Sequence, residues 1–236
     1  LDVIGAALAC TSLLFVKIPD PENEERSQKV QLLKEAKEAY TEVRAQNGLS
    51  WLFVLSILAT FFIMPVGVLF PLMTLNHYSG NAYQISLVEA AWGIGALLGG
   101  AFLGIKKFKL NEISLINWMY LLLGFTFLLS GVLPVSGYPL FVGLTAIGGI
   151  SGSLYMASFT TVLQTRINPV VMGRVFSFYM SVSLLPSMIG LLSTGFLADN
   201  IGIGNTFIIG GVLVGMIGVI SFFVPSIRKL RDSFIP

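Results

Sequence analysis

The sequence predicts an all-α polytopic membrane protein, a six-transmembrane-helix bundle made of two inverted three-helix repeats. Three observations predict it. The first is composition: of 236 residues, 55% are hydrophobic and 11% charged, and the mean hydropathy is +0.83. Soluble domains carry about 25% charged residues, so this chain has too little polar surface to face water and its main solvent is lipid. The second is length. Six apolar runs each supply the roughly 20 residues that a membrane-crossing helix needs. The third is where the 14 basic residues fall. Lys17, Arg26, Lys29, Lys34, Lys37 and Arg44 lie in residues 17–48. Lys106, Lys107 and Lys109 follow the second run, Arg166 and Arg174 flank the fourth connection, and Arg228, Lys229 and Arg231 lie in the tail. The intervening connections "LNHYSGNA", "PVSGY" and "DNIGIG" hold none. Basic and non-basic connections alternate along the chain, so the basic ones share one face, and the positive-inside rule predicts that this face is cytoplasmic.

The elements follow in order. Residues 1–16, apolar from the first position, read as the end of a transmembrane helix that starts upstream. Residues 17–49 read as a cytoplasmic amphipathic loop, because Val30, Leu33, Tyr40 and Val43 recur at helical spacing among charges. The first full span, 50–74, contains Pro65 and Pro71, which are expected to bend it. The next spans are 83–105, 113–133 and 139–164. Pro169 has no N–H to continue a helix and is expected to help stop the fourth. Arg174 opens the fifth span, 174–198, where its guanidinium suits a cytoplasmic gate contact or a lipid anchor, and Pro186 is expected to bend that span. Span 205–225 and a cytoplasmic tail, 226–236, complete the chain.

The two triplets echo each other. "ALLGGAFLG" (96–104) aligns with "GLLSTGFLA" (190–198): Leu97, Leu98, Phe102 and Leu103 match Leu191, Leu192, Phe196 and Leu197 at an offset of 94. The first triplet starts inside and the second outside, so the repeat is inverted, as in secondary transporters.

One carboxylate interrupts these runs. Glu89 lies about 9 Å below the outer surface at 1.5 Å per residue. It sits on a stripe of small residues (82, 86, 89, 93, 96 and 100) that favours close approach by another helix, so it is expected to point into the bundle or a cavity. An ionised carboxylate at that depth costs a few kcal/mol, and apart from Arg174 at the inner edge of the fifth, no Lys or Arg lies within the spans. Glu89 is therefore expected to hold a proton, to pair with a group outside this chain, or to meet a cationic substrate. Asp2, about 21 Å above the inner edge of its helix, is the second candidate for proton coupling or substrate binding. Phe61, Phe62, Tyr155 and Tyr179 are candidate cavity-lining aromatics.

The chain resembles the C-terminal half of a major facilitator superfamily transporter. In that reading residues 1–16 end helix 6, residues 17–48 form the central loop, and the six later spans are helices 7–12. "GALLGGAFLGIKKFK" resembles a degenerate form of the superfamily's Gly-rich motif between helices 8 and 9, without its Asp-Arg pair. "INPVVMGRVFSFYMS" and "FLADNIGIGNTFIIGG" resemble macrolide-efflux-type drug/proton antiporters. The resemblance implies proton-coupled efflux of amphipathic small molecules by alternating access, from a bacterial cytoplasmic membrane. It implies as partners the N-terminal six-helix half, the lipid bilayer, a small-molecule substrate and protons, and no nucleic acid. An uptake or metabolite carrier is the alternative within the superfamily, and a non-transporting scaffold or channel subunit the alternative outside it. No enzyme is expected, since the spans hold no paired acids and the sole histidine, His77, is in a connection. With one histidine and one cysteine, Cys10, no metal site or cofactor is expected.

Overall fold

The computed structural model describes residues 11, 32–46, 48–105 and 111–232. The chain divides into two units, residues 1–34 and 35–236; the architecture below is that of the second. Asp2, and most of the predicted residues 1–16 and 17–31, lie outside the described residues.

Among the described residues eight α-helices follow in order: α1 Leu32–Ala45, α2 Leu49–Leu72, α3 Ala82–Ile105, α4 Glu112–Val132, α5 Tyr138–Arg166, α6 Pro169–Ile201, α7 Ile203–Phe223 and α8 Pro225–Asp232. A π-helical turn, Met73–His77, extends α2. Six of these helices, α2 to α7, are long and apolar enough to cross a membrane, and the protein is an integral membrane protein.

Helix starts are written in the sequence. Asn111 and Asn168 each accept a hydrogen bond from the backbone N–H two residues on, Ile113 and Val170, at 3.0 Å, the N-cap arrangement. Asn81 and Gln84 exchange reciprocal bonds of 3.0 and 3.1 Å at the start of α3, a capping box. The expectation for Pro169 is corrected in part. The preceding helix runs to Arg166 and ends at an extended Ile167, and Pro169 is then the first residue of α6, a position that needs no N–H donor. The fifth span is therefore five residues longer at its start than the apolar run. The tail opens with a short helix, α8, that buries Ile227 and Leu230. Gly48 joins α1 to α2 with φ 90°, a left-handed conformation that glycine adopts without strain.

Helix pairing follows the glycines. Gly124 and Gly131 on α4 meet Gly211 and Gly204 on α7, where a Cβ would crowd the facing backbone, and Gly218 on α7 meets Tyr120 and Leu121. Tyr120 neighbours Gly218 and Gly131 neighbours Gly204, so the two helices run antiparallel. On α3, Gly95 faces Ala146 and Gly99 faces Ile150 of α5, a parallel pair. Helix α6 packs on α2 in the same sense, Tyr179 on Phe53 and Gly190 on Phe61. Helix α4 also packs on α5, and α7 on α2. Exchanging the triplets α2–α4 and α5–α7 leaves this set of neighbours unchanged, as an inverted repeat requires. The buried faces of α3 and α6 correspond through Gly95 with Gly190 and Gly99 with Thr194. That offset is 95, one residue on from the sequence match, whose Leu97, Leu98 and Phe102 are exposed.

Burial is uneven. In their most apolar stretches α3 and α6 bury 17% and 22% of residues, against 44–50% in the other four spans. Each therefore presents one face that no described residue covers.

Candidate functional site

Proline sets up the site. Within α2, Pro71 cannot donate to the carbonyl of Gly67, nor Pro65 to that of Phe61. The Pro65 end is filled: α6 crosses there at Gly190, so close that a Cβ on Gly190 would lie 2.7 Å from the Phe61 oxygen. The Pro71 end opens instead into a cavity of about 350 Å³ between α2, α3, α4 and α5. Its walls include Phe70, Trp92 and Phe127, with Gly67, Pro71, Thr145 and Glu89.

Glu89 reaches this cavity from α3 while remaining exposed. Among the described residues, the small-residue stripe through 82, 86, 89, 93, 96 and 100 is not the face that packs on another helix. Close packing on α5 uses the next stripe round the helix, Val88, Trp92, Gly95 and Gly99. The Trp92 ring lies 3.0 Å from where a Cβ on Gly148 would be and 3.5 Å from one on Gly152. Bare glycines on α5 thus accept an indole on α3, and Glu89, about 100° from this face, comes to the rim. The start of α3 is tied down by the Tyr138 hydroxyl, which donates to the Gln84 carbonyl at 2.9 Å. Nearby, His77 is half-buried, its Nε2 2.8 Å from the Leu133 carbonyl oxygen.

The other predicted residues separate from Glu89. Phe61 and Phe62 line a second cavity, about 300 Å³, between α2, α6 and α7. Tyr155 and Tyr179 are buried in an aromatic cluster with Phe53, Tyr120 and Phe159, with Tyr179 4.8 Å from Phe159 and Tyr155 4.7 Å from Tyr120, centroid to centroid. They serve there as core. Pro186 lies inside α6 and borders a shallower apolar crevice with Phe61.

Arg174 has a specific partner that the sequence did not reveal. Its Nη1 donates to Oε2 of Glu38 on α1 at 2.8 Å. Tyr40 adds an edge contact to Phe178 at 6.4 Å, and Ala39 and Val43 are buried beneath. The amphipathic helix is thereby fastened to the first turns of α6. Trp92, Gly67, Thr145 and Glu38 are the residues that reading the sequence missed. Gly67, four residues before Pro71, was the one that carried a signal.

Residues 8–233 match the family model described as transmembrane secretion effector. Macrolide efflux protein A of Streptococcus pyogenes is 33% identical over 98% of this chain and 57% of its own length. The protein of the same name from Enterococcus faecalis is 34% identical, over 81% of this chain and 59% of its own. The multidrug efflux pump Tap of Mycolicibacterium fortuitum is 27% identical over 76% of this chain and 43% of its own. The chain spans little more than half the length of the macrolide efflux relatives. Its near-complete match to the family model, on a bundle of two inverted helix triplets, shows that it belongs to the transmembrane secretion effector family of the major facilitator superfamily.

Proposed function

We propose that this chain contributes one six-helix half of a proton-coupled exporter of amphipathic small molecules, working by alternating access. The observation that carries the reading is Glu89, a carboxylate on the wall of a largely apolar, aromatic cavity. A carboxylate there binds either a proton or a positively charged group, and competition between the two is the simplest way to couple efflux to proton entry. The names of the relatives support drug efflux, with macrolides as the first substrate class to try. The sparsely covered faces of α3 and α6 suit packing against the other half of the protein. Placing the basic connections in the cytoplasm of a bacterial inner membrane is supported by the alternation of charge.

The test is macrolide transport driven by a pH gradient, in membrane vesicles carrying the full-length protein, comparing wild type with Glu89→Gln at matched expression. Gln keeps the shape but cannot exchange a proton. The expected result is loss or uncoupling of transport with insertion intact. Equal rates with equal pH dependence would remove Glu89 from the mechanism.

A further inference from the structure

The cavity holds a second polar group whose origin is in the backbone. Gly67 has no side chain, so it can line the cavity only with main-chain atoms, and a Cβ built on it would meet nothing within 4 Å. Its carbonyl is the one that Pro71, also in the wall, leaves without a helical N–H. Gly67 is exposed among the described residues, and within a membrane span an exposed carbonyl without a donor is costly unless a partner supplies one. The matching carbonyl in α2, that of Phe61, is covered by α6 at Gly190, where a Cα–H can approach it. No described glycine approaches the Gly67 oxygen as Gly190 approaches that of Phe61.

The remaining polar groups are of the same kind. Thr145 spends its hydroxyl proton on the Phe141 carbonyl at 2.8 Å, which leaves only acceptor lone pairs. Ionised Glu89 only accepts. The lining includes no Lys, Arg or His, and the Trp92 indole N–H is its one side-chain donor. Phe70, Trp92 and Phe127 supply π faces, which attract cations. A site rich in acceptors and poor in donors selects a ligand that brings both charge and hydrogen-bond donors.

We infer that the cavity binds amphipathic ammonium ions that carry at least one N–H, with the Gly67 carbonyl, freed by Pro71, accepting that N–H while Glu89 balances the charge. Pro71 is then a specificity-determining residue. It makes the site prefer primary, secondary and tertiary amines over quaternary ammonium ions of the same size. This rests on the reading of Glu89 as a binding carboxylate, and the experiment separates the two.

The measurement is equilibrium binding of two radiolabelled probes, N,N-dimethyloctylammonium and trimethyloctylammonium, to the purified full-length protein. The probes differ by one N–H replaced by N–CH3. Wild type is expected to bind the N–H probe about five- to tenfold tighter, the worth of one net hydrogen bond. Pro71→Ala restores the helical donor to Gly67 and is expected to bring the ratio close to one. Pro65→Ala, at the covered carbonyl, is expected to leave the wild-type ratio intact. Glu89→Gln is expected to weaken both probes together. A wild-type ratio of one overturns the inference, and decides alone should Pro71→Ala fail to fold. A ratio unchanged by Pro71→Ala, or abolished equally by Pro65→Ala, also overturns it while leaving the role of Glu89 standing. Binding of both probes unaffected by Glu89→Gln overturns the underlying reading instead.

Discussion

The seam between α4 and α7 gives the sharpest stability prediction. In lipid there is no hydrophobic drive to pair two apolar helices, so close backbone packing has to do it. Gly124→Ala introduces a methyl group into that packing. Its carbon would lie 2.5 Å from the Gly215 nitrogen, 2.6 Å from the Gly211 oxygen and 2.8 Å from the Gly215 Cα. Ordinary contacts of this type need about 3.5 Å, so the helices must part by roughly 1 Å. Every atom struck belongs to backbone, and no rotamer change relieves it. Overpacking of this kind costs typically 1–3 kcal/mol. A gap of about 1 Å also forfeits up to half of the dispersion energy at neighbouring contacts, which argues for about 3 kcal/mol. In a helical unit of this size that corresponds to a drop of roughly 6–12 °C in Tm. The assay is thermal unfolding of purified protein followed by size-exclusion chromatography. Gly143→Ala is the control, because a Cβ there meets nothing within 4 Å, and its Tm should stay level or rise slightly. Equal Tm values for the two variants would show that α4 and α7 do not approach as described.

Other outcomes follow from the same packing. Glu38→Gln or Arg174→Gln should lower Tm by the equivalent of less than about 1 kcal/mol, because the pair is 37–40% exposed and exposed ion pairs are weak; the swapped pair Glu38→Arg with Arg174→Glu should recover most of the loss, and no recovery would mean that the pair contributes nothing. Asn117→Leu should cost about 1–3 kcal/mol, since it strips the acceptor from the buried Ser221 hydroxyl, 2.6 Å away; the double variant with Ser221→Ala should cost less than the two singles together, and strict additivity in the thermal cycle would break the proposed link. In a Cys10→Ala background, a membrane-impermeant maleimide applied to intact cells should label Ser136→Cys and not Arg228→Cys; labelling of both would contradict the orientation argued from charge.

The number and order of the spans were legible because two signals with different physical origins agree. Apolar length reflects the thickness of the bilayer, whereas the placement of Lys and Arg reflects how the chain inserts, and a miscounted helix would have broken the alternation of charge. Ends were less legible where capping outweighs hydropathy. Asn168 and Pro169 are polar or poor helix-interior residues by composition, yet as N-cap and first helical residue they start α6 five positions before Arg174. The helix in the tail was not legible for the converse reason. Its charges dominate an average over the segment, while burial of Ile227 and Leu230 decides that it forms a helix.

The site was only half legible, and the reason lies in how helices recognise each other. Two stripes of small residues run side by side on α3, one through Glu89 and one through Gly95 and Gly99, separated by a single residue step. Judged on α3 alone, Trp92 seems to disqualify the second stripe from close packing. It does the opposite, because α5 offers Gly148 and Gly152 where the indole lands. Complementarity belongs to the pair of helices, so no periodicity within one of them can reveal it. The functional consequence is geometric. Had the Glu89 stripe been the packed face, the carboxylate would be sealed between α3 and α5, where neither proton nor ligand could reach it without parting the helices. The Trp92 stripe turns Glu89 to the rim of a cavity whose other wall is the proline-opened turn of α2. A carboxylate so placed is reachable while the close-packed glycine seams stay intact, which suits the role proposed for Glu89 in a carrier.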